Sequence, residues 1–247
     1  MQIEQSLLNK PICMILHGRS CEELENNIEL FKHLDIVWAS ISTFDIPQKY
    51  ILDKINKKFS IVFDSSTVKN EQDYEILLRI PRLIKYLSEN KNNKYICTKS
   101  DKNNLFNLRN RLRLTFNEDY KEQIIYTEDI GIDPKPFCVS LHLYLACLCQ
   151  LGFKKIILFG ADGGGTYGNL IESYYKWEEI KKDKEIAGNV NYNMVGDSNN
   201  INSTFISLMN QTLGYIPEIY NCSDYSLYTV FKKINYEEAI NILKETK

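Results

Sequence analysis

No stretch of the sequence approaches the about 18 consecutive apolar residues of a membrane-crossing helix, so nothing is expected to span a bilayer. No secretory signal is visible either, so none is expected. Met1 to Lys10 is polar, and the apolar run after it covers only Ile12 to Leu16. Histidine is scarce, three residues in all, and His17, His33 and His142 stand at no zinc-binding spacing. No Asp-x-Asp pair offers a metal two carboxylates, so no metal cofactor is expected. A magnesium ion held mainly by a ligand's phosphates would nevertheless leave no trace in the chain. The seven cysteines are odd in number and lack paired metal spacing. Cys147 and Cys149 fall on neighbouring faces of an expected helix and read as core packing, which implies a reducing, cytoplasmic compartment. An excess of positive charge is absent too, and a net charge of -2 argues against nucleic acid as a partner. Peripheral contact with the inner face of a membrane stays open, as does oligomer formation.

What is present is ordinary for a globular chain: 247 residues, 44% hydrophobic and 25% charged, expected as a single α/β nucleotide-binding-type domain over 1–247. The most informative stretch is Pro136 to Asn169. Val139, Leu143, Ala146, Cys147 and Leu151 recur at helical spacing, and Gly152 follows as a stop. Ile156 to Phe159 is then a continuous apolar run, suited to a strand buried on both faces. It leads straight into Gly160-Ala161-Asp162 and the glycines at 163–165. A buried strand ending in small residues and one acid is where an open α/β sheet binds its ligand.

The rest of the chain repeats the pattern. Strands are expected at Pro11–Leu16, Asp35–Ser42, Phe59–Phe63, Lys94–Thr98, Gln123–Tyr126 and near Glu218–Tyr220. Helices are expected from Ser20 to about His33, with Ser20 and Glu23 as a capping box, and from Pro47 to about Lys57. Further helices are expected over 70–90 with a break near Pro81, over Asn103–Phe116, over about Asn202–Leu213 and over 236–246. This alternation predicts a Rossmann-like α/β fold: a mainly parallel twisted sheet with helices on both faces. Residues 166–200 break the rhythm and read as a lid or insert over the strand ends.

Four places carry candidate chemistry. His17-Gly18-Arg19-Ser20 lies between a strand and a helix, where backbone N–H groups favour an anion and Arg19 adds a bidentate contact; an ordinary capped turn is the alternative. Phe63-Asp64-Ser65-Ser66-Thr67 superficially matches the nucleophile motif of haloacid-dehalogenase phosphatases, but Ser66 stands where a second Asp is needed. Gly160, Ala161, Asp162 and Gly163 allow close backbone approach, with Asp162 holding a ligand hydroxyl or capping a turn. Asp197, in Gly196-Asp197-Ser198, either caps the following helix or acts as a general base brought over the site.

In this order the motifs resemble the small bacterial sialyltransferases of glycosyltransferase family 42, and more distantly the Maf-type flagellin glycosyltransferase core. Gly18 and Ser20 match the family's N-terminal turn, and Ser40 and Ser65 fall where it has asparagines. Ser140 matches the serine that starts a helix; Leu151-Gly152-Phe153-Lys154-Lys155-Ile156 and Gly160-Ala161-Asp162 match best. Tyr167 falls on a tyrosine that binds the donor phosphate, and Asp197 replaces the histidine proposed as base. The resemblance implies transfer of a sugar from a nucleotide-activated, CMP-linked donor to a glycan or other hydroxyl acceptor, with no cofactor required. The nucleotide would lie over Gly18, Arg19, Ser20, Ser40, Ser65 and Ser140, with Asp162 orienting the donor. A pyrophosphokinase-type enzyme and a non-catalytic nucleotide-binding partner in a surface-glycan pathway are the alternatives on the same fold.

Overall fold

The structure is a computed structural model and describes residues 3–16, 18–41, 44–63, 80–98, 120–137, 140–163, 194–224 and 226–245. Eight strands form one sheet: β1 (Ile12–Ile15), β2 (Val37–Ile41), β3 (Ile61–Phe63), β4 (Lys94–Cys97), β5 (Ile124–Tyr126), β6 (Lys155–Phe159), β7 (Glu218–Asn221) and β8 (Lys232–Lys233). Their order is β5-β4-β3-β2-β1-β6-β7-β8, and every pairing is parallel. The sheet therefore belongs to the expected α/β, Rossmann-like class. Parallel neighbours need a crossover, and the helices are α1 (Gln5–Leu8), α2 (Cys21–Asn27), α3 (Asp45–Tyr50), α4 (Ile80–Glu89), α5 (Ser140–Gln150), α6 (Met194–Leu213) and α7 (Tyr236–Glu245).

Alternate side chains of each strand enter opposite layers. On one face Ile12, Met14, Ile156 and Leu158 pack with Leu145 and Leu148 of α5 and with Ile201, Phe205 and Met209 of α6. On the other, Cys13, Ile15, Ile157 and Phe159 meet Leu24 of α2, Phe31, Leu87 of α4 and Leu243 of α7. Phe31 sets its edge against Phe159, with ring centroids 5.5 Å apart, while Tyr236 stacks on the same Phe159 ring at 5.9 Å. Both faces of β1 and β6 are fully covered, which is why their sequences read as unbroken apolar runs.

Several local expectations need correction. Ser20 does not cap α2: its backbone is helical and its hydroxyl makes no cap bond. Helix α2 is also short, giving way to a 3-10 turn at Ile28–Phe31. The capping box lies at α7 instead, where the Asn235 N–H donates to Glu238 Oε2 and the Glu238 N–H donates to Asn235 Oδ1, each at 2.9 Å. Helix α3 begins at Asp45, before Pro47, because a proline in the first turn has no N–H to miss. Residues 194–200 of the expected lid are helical, the beginning of α6 as described, and Asp197 lies inside that helix and not at a cap. Strand β8 is too short and too polar to be seen as a strand in sequence. The helix expected at Asn103–Phe116, and residues 166–193 of the lid expected at 166–200, lie outside the described residues.

Candidate functional site

The chain runs outward from β1 to β5, then returns to place β6 against the free side of β1 and continues outward to β8. The strand order thus reverses between β1 and β6. Loops leaving the carboxyl ends of two such strands diverge to opposite faces, and the crevice between them is where open α/β sheets bind ligands. The two loops here are Gly18–Ser20 and Gly160–Gly163, the pair that sequence reasoning had marked separately.

They approach so closely that only glycine fits. A Cβ on Gly18 would lie 2.5 Å from the Asp162 carboxylate, and Gly18 N–H donates to the Gly160 carbonyl at 2.8 Å. Gly160 adopts φ +69°, and a Cβ there would meet the Leu16 carbonyl at 2.8 Å. Asp162 then joins three segments. Its carboxylate accepts the Ser20 N–H at 3.0 Å, the Ser20 hydroxyl, and the Ser223 hydroxyl at 2.6 Å. Its carbonyl accepts the Leu227 N–H at 2.9 Å. Asp162 is 5% exposed, so the acid is a clasp between the ends of β1, β6 and β7.

This arrangement redistributes the expected roles. The N–H of Ser20 meets the chain's own Asp162 carboxylate, which fills the place foreseen there for a ligand anion. Ser40 is fully buried and donates its hydroxyl to the Ile15 carbonyl at 2.9 Å, tying β2 to β1 rather than facing a ligand. Ala161 is buried, and its carbonyl accepts from Asn221 at 2.9 Å. Arg19 is half-buried beside Gly18, and Gly163, the last residue described after β6, is buried with a positive φ of 73°. Ser140 is the half-buried first residue of α5, at the carboxyl-end side of the sheet. Ser65, Tyr167, His17 and the Asp64 motif lie outside the described residues.

Helix α6 supplies the wall above. At 20 residues it is about 30 Å long, whereas strands of four or five residues span about 15 Å. Its lower part packs on the sheet through Ile201, Phe205 and Met209. Asn202 fixes the level of the strand ends: its amide donates to the Leu227 carbonyl and its oxygen accepts the Thr229 N–H, both at 2.8 Å. Met194 to Asn200, about 10 Å of helix, therefore lie on the carboxyl-edge side of the packed part. Asp197 occupies the register position one turn above Ile201, in line with the buried stripe 201, 205, 209.

No family model, curated protein or solved structure matches the chain. The site therefore stands on its own geometry.

Sequence reasoning missed two contributors. Asn221, buried at the end of β7, donates to the Ala161 carbonyl and to Ser226 Oγ at 2.8 Å. Ser223 completes the clasp. The signal was available: Asn221, Ser223 and Asp224 gather at the end of the strand. A second passed-over signal is that residues 163–168 spell Gly-x-Gly-x-x-Gly after β6, although only Gly163 of these is described.

Charge divides the carboxyl edge into two sides. The α2–α7 side carries Glu22 and Glu23 in the first turn of α2, with Asp162 and Asp224 nearby. Burial, then Asp224 and Asp162, push the Glu23 carboxyl above its ordinary range. The α5–α6 side presents the starts of two longer helices, whose N-termini favour anions. On that side His142 is fully buried, edge-on to Phe137 and stacked on Phe205 at 5.0 Å. Neither ring nitrogen reaches a hydrogen-bond partner of good geometry. Burial holds the imidazole down to about 4, the Phe205 backbone lying near enough to oppose part of that drop. The ring is a neutral packing element at pH 7.

Proposed function

We propose that the chain binds a nucleotide-activated sugar in the β1–β6 crevice and transfers the sugar to a hydroxyl acceptor, as a glycosyltransferase. One observation carries the reading: two glycine-bearing loops flank the point where the strand order reverses, and an over-long helix rises above them. The two loops, with half-buried Gly18 and Arg19 and buried Gly163, make a close-packed floor on which a flat or phosphorylated ligand can rest. The acidic α2–α7 side repels phosphate, so the donor's phosphate is assigned to the α5–α6 side, toward Ser140. A CMP-linked donor is the form implied by the resemblance to family 42.

In this reading Asp162 acts through position. It holds both loops, and the donor rests on the floor they form. Asp197, in the carboxyl-edge part of α6, is the acceptor's base. It removes the acceptor hydroxyl proton as that oxygen bonds to the anomeric carbon, and the glycosidic electron pair leaves with the nucleotide phosphate.

Thermal shift against cytidine, uridine and adenine nucleotides and their sugar conjugates tests the binding step. One nucleotide class should raise the melting temperature, and its sugar conjugate should be turned over with a hydroxyl acceptor. Asp197→Asn should keep the nucleotide shift and lose transfer by about a hundredfold or more, the usual scale of a general base. No shift with any nucleotide would overturn the reading; unchanged turnover in Asp197→Asn would remove that residue's role.

A further inference from the structure

The net charge of -2 is spread unevenly over the fold. At the amino edge of the sheet, each strand from β1 to β6 is entered past a lysine: Lys10, Lys32, Lys58, Lys91, Lys121 and Lys154, in that order. Lys57, Lys94 and Lys155 stand beside three of them, whereas the acids on these entries and at the start of β7 are Asp35, Glu122 and Glu218. Lys10, Lys32 and Lys58 are offset by ion pairs with Asp35, Glu29 and Asp53. Lys91, Lys121, Lys154 and Lys155 make no ion pair with a described residue. Strands lie about 4.8 Å apart, so the row runs straight for about 30 Å from β5 to β7.

Helix C-termini attract lysine, and several helices end on this edge. That does not account for Lys154 and Lys155. The last turn of α5 is closed by its own backbone, the Gly152 N–H donating to the Cys149 carbonyl at 3.0 Å and the Phe153 N–H to the Leu148 carbonyl at 3.1 Å. These two lysines instead line, with Lys10, Leu8 and Gly152, a cavity of about 370 Å³ between α1 and the start of β6. Beside it the chain exposes apolar side chains: Ile216 is 54% and Tyr215 43% exposed, on the turn that joins α6 to β7. Tyr215 Oη donates to the Cys149 carbonyl at 3.3 Å, which sets this turn next to Gly152. From Ser198 to Pro217 there is no charged residue, so the turn enters an apolar phase without desolvating a charge of its own.

We propose that the amino edge of the sheet is a docking face for an anionic bilayer. Ile216 and Tyr215 enter the headgroup layer, and Lys154 and Lys155, with Lys10 beside them, receive an anionic headgroup. A straight basic edge complements a planar anionic surface, and the exposed apolar turn at one end suits a bilayer rather than a nucleic acid. The carboxyl edge carries Glu22, Glu23, Asp45 and Asp224 and is repelled, so a docked chain turns its crevice to the solution. The face lies on the edge away from the crevice and does not rest on the nucleotide reading.

Co-sedimentation of the full chain with vesicles tests this. Vesicles of equal parts phosphatidylcholine and phosphatidylserine should carry the chain down, phosphatidylcholine alone should not, and added salt should weaken the binding. Lys154→Gln and Lys155→Gln should each weaken it about fivefold, the share of one lysine near an anionic surface, and Ile216→Ser by about the same factor. Melting temperatures should stay near that of the parent, since Lys154 and Ile216 are exposed. Lys233→Gln, the same charge change at the end of β8, should leave binding unchanged. No binding to the mixed vesicles would overturn the proposal, as would an equal loss in Lys233→Gln and Lys154→Gln. Binding of polyuridylate that competes with the vesicles, and is lost in the lysine variants but kept in Ile216→Ser, would make the edge a nucleic-acid surface and overturn it too. A failed nucleotide panel would leave these results untouched.

Discussion

Replacing Asp162 by Ala removes the acceptor for three donors at once. The Ser20 and Ser223 hydroxyls can rotate toward other acceptors, but the Ser20 N–H cannot move without unwinding the start of α2. An orphaned buried N–H costs about 1–3 kcal/mol, and losing bonds to a charged acceptor adds about 1.5 kcal/mol or more. The expected total is about 3–5 kcal/mol, or a fall in melting temperature of about 6–20 °C for a chain of this size. Asp162→Asn keeps the shape and one acceptor oxygen, so about half the loss is expected. Chemical denaturation followed by circular dichroism measures both. Because Ser223 shares the acceptor, Ser223→Ala and Asp162→Ala should be strongly non-additive. An Asp162→Ala variant within about 1 kcal/mol of the parent would refute the clasp and return Asp162 to the role of a free ligand-binding acid.

Two further outcomes follow from buried groups. His142 takes up a proton at about 4 when folded, against an ordinary value near 6.5, so the unfolded chain binds the extra proton between those pH values. His142 should therefore cost stability progressively as pH falls from about 6.5 to about 4, by about 3 kcal/mol in all, and His142→Leu should flatten that part of the profile. A His142→Leu profile that parallels the parent's would contradict the buried neutral ring. Gly160→Ala forces a side chain into φ +69° and against the Leu16 carbonyl, and should destabilise by about 2–4 kcal/mol, read as a lower denaturant midpoint.

The sheet was legible because a parallel strand covered on both faces must be apolar at every position, as Ile12–Ile15 and Ile156–Phe159 are. Strand β8 was not, since Lys232 and Lys233 are exposed at the sheet edge and carry no apolar signal. The two loops of the crevice could be read locally from their small residues. Their contact could not, because Ser20 and Asp162 are 142 positions apart and only the strand order brings them together. The same limit explains the misplaced capping box. Ser20-x-x-Glu23 has the right spacing, but the serine hydroxyl has the Asp162 carboxyl group within reach and bonds to it in place of a cap. Asn235-x-x-Glu238 has no such competitor and folds as its sequence dictates.

The long helix beside the crevice is tied at Asn202 to the loop after β7, whose Leu227 carbonyl and Thr229 N–H it bridges. From Ile201 onward its inner face is committed to the core through Ile201, Phe205 and Met209, where substitutions are paid for in stability. Anchor and packing face are thus adjacent residues of one helix, so a change at Ile201 or Asn202 reaches the rim of the crevice through the scaffold itself.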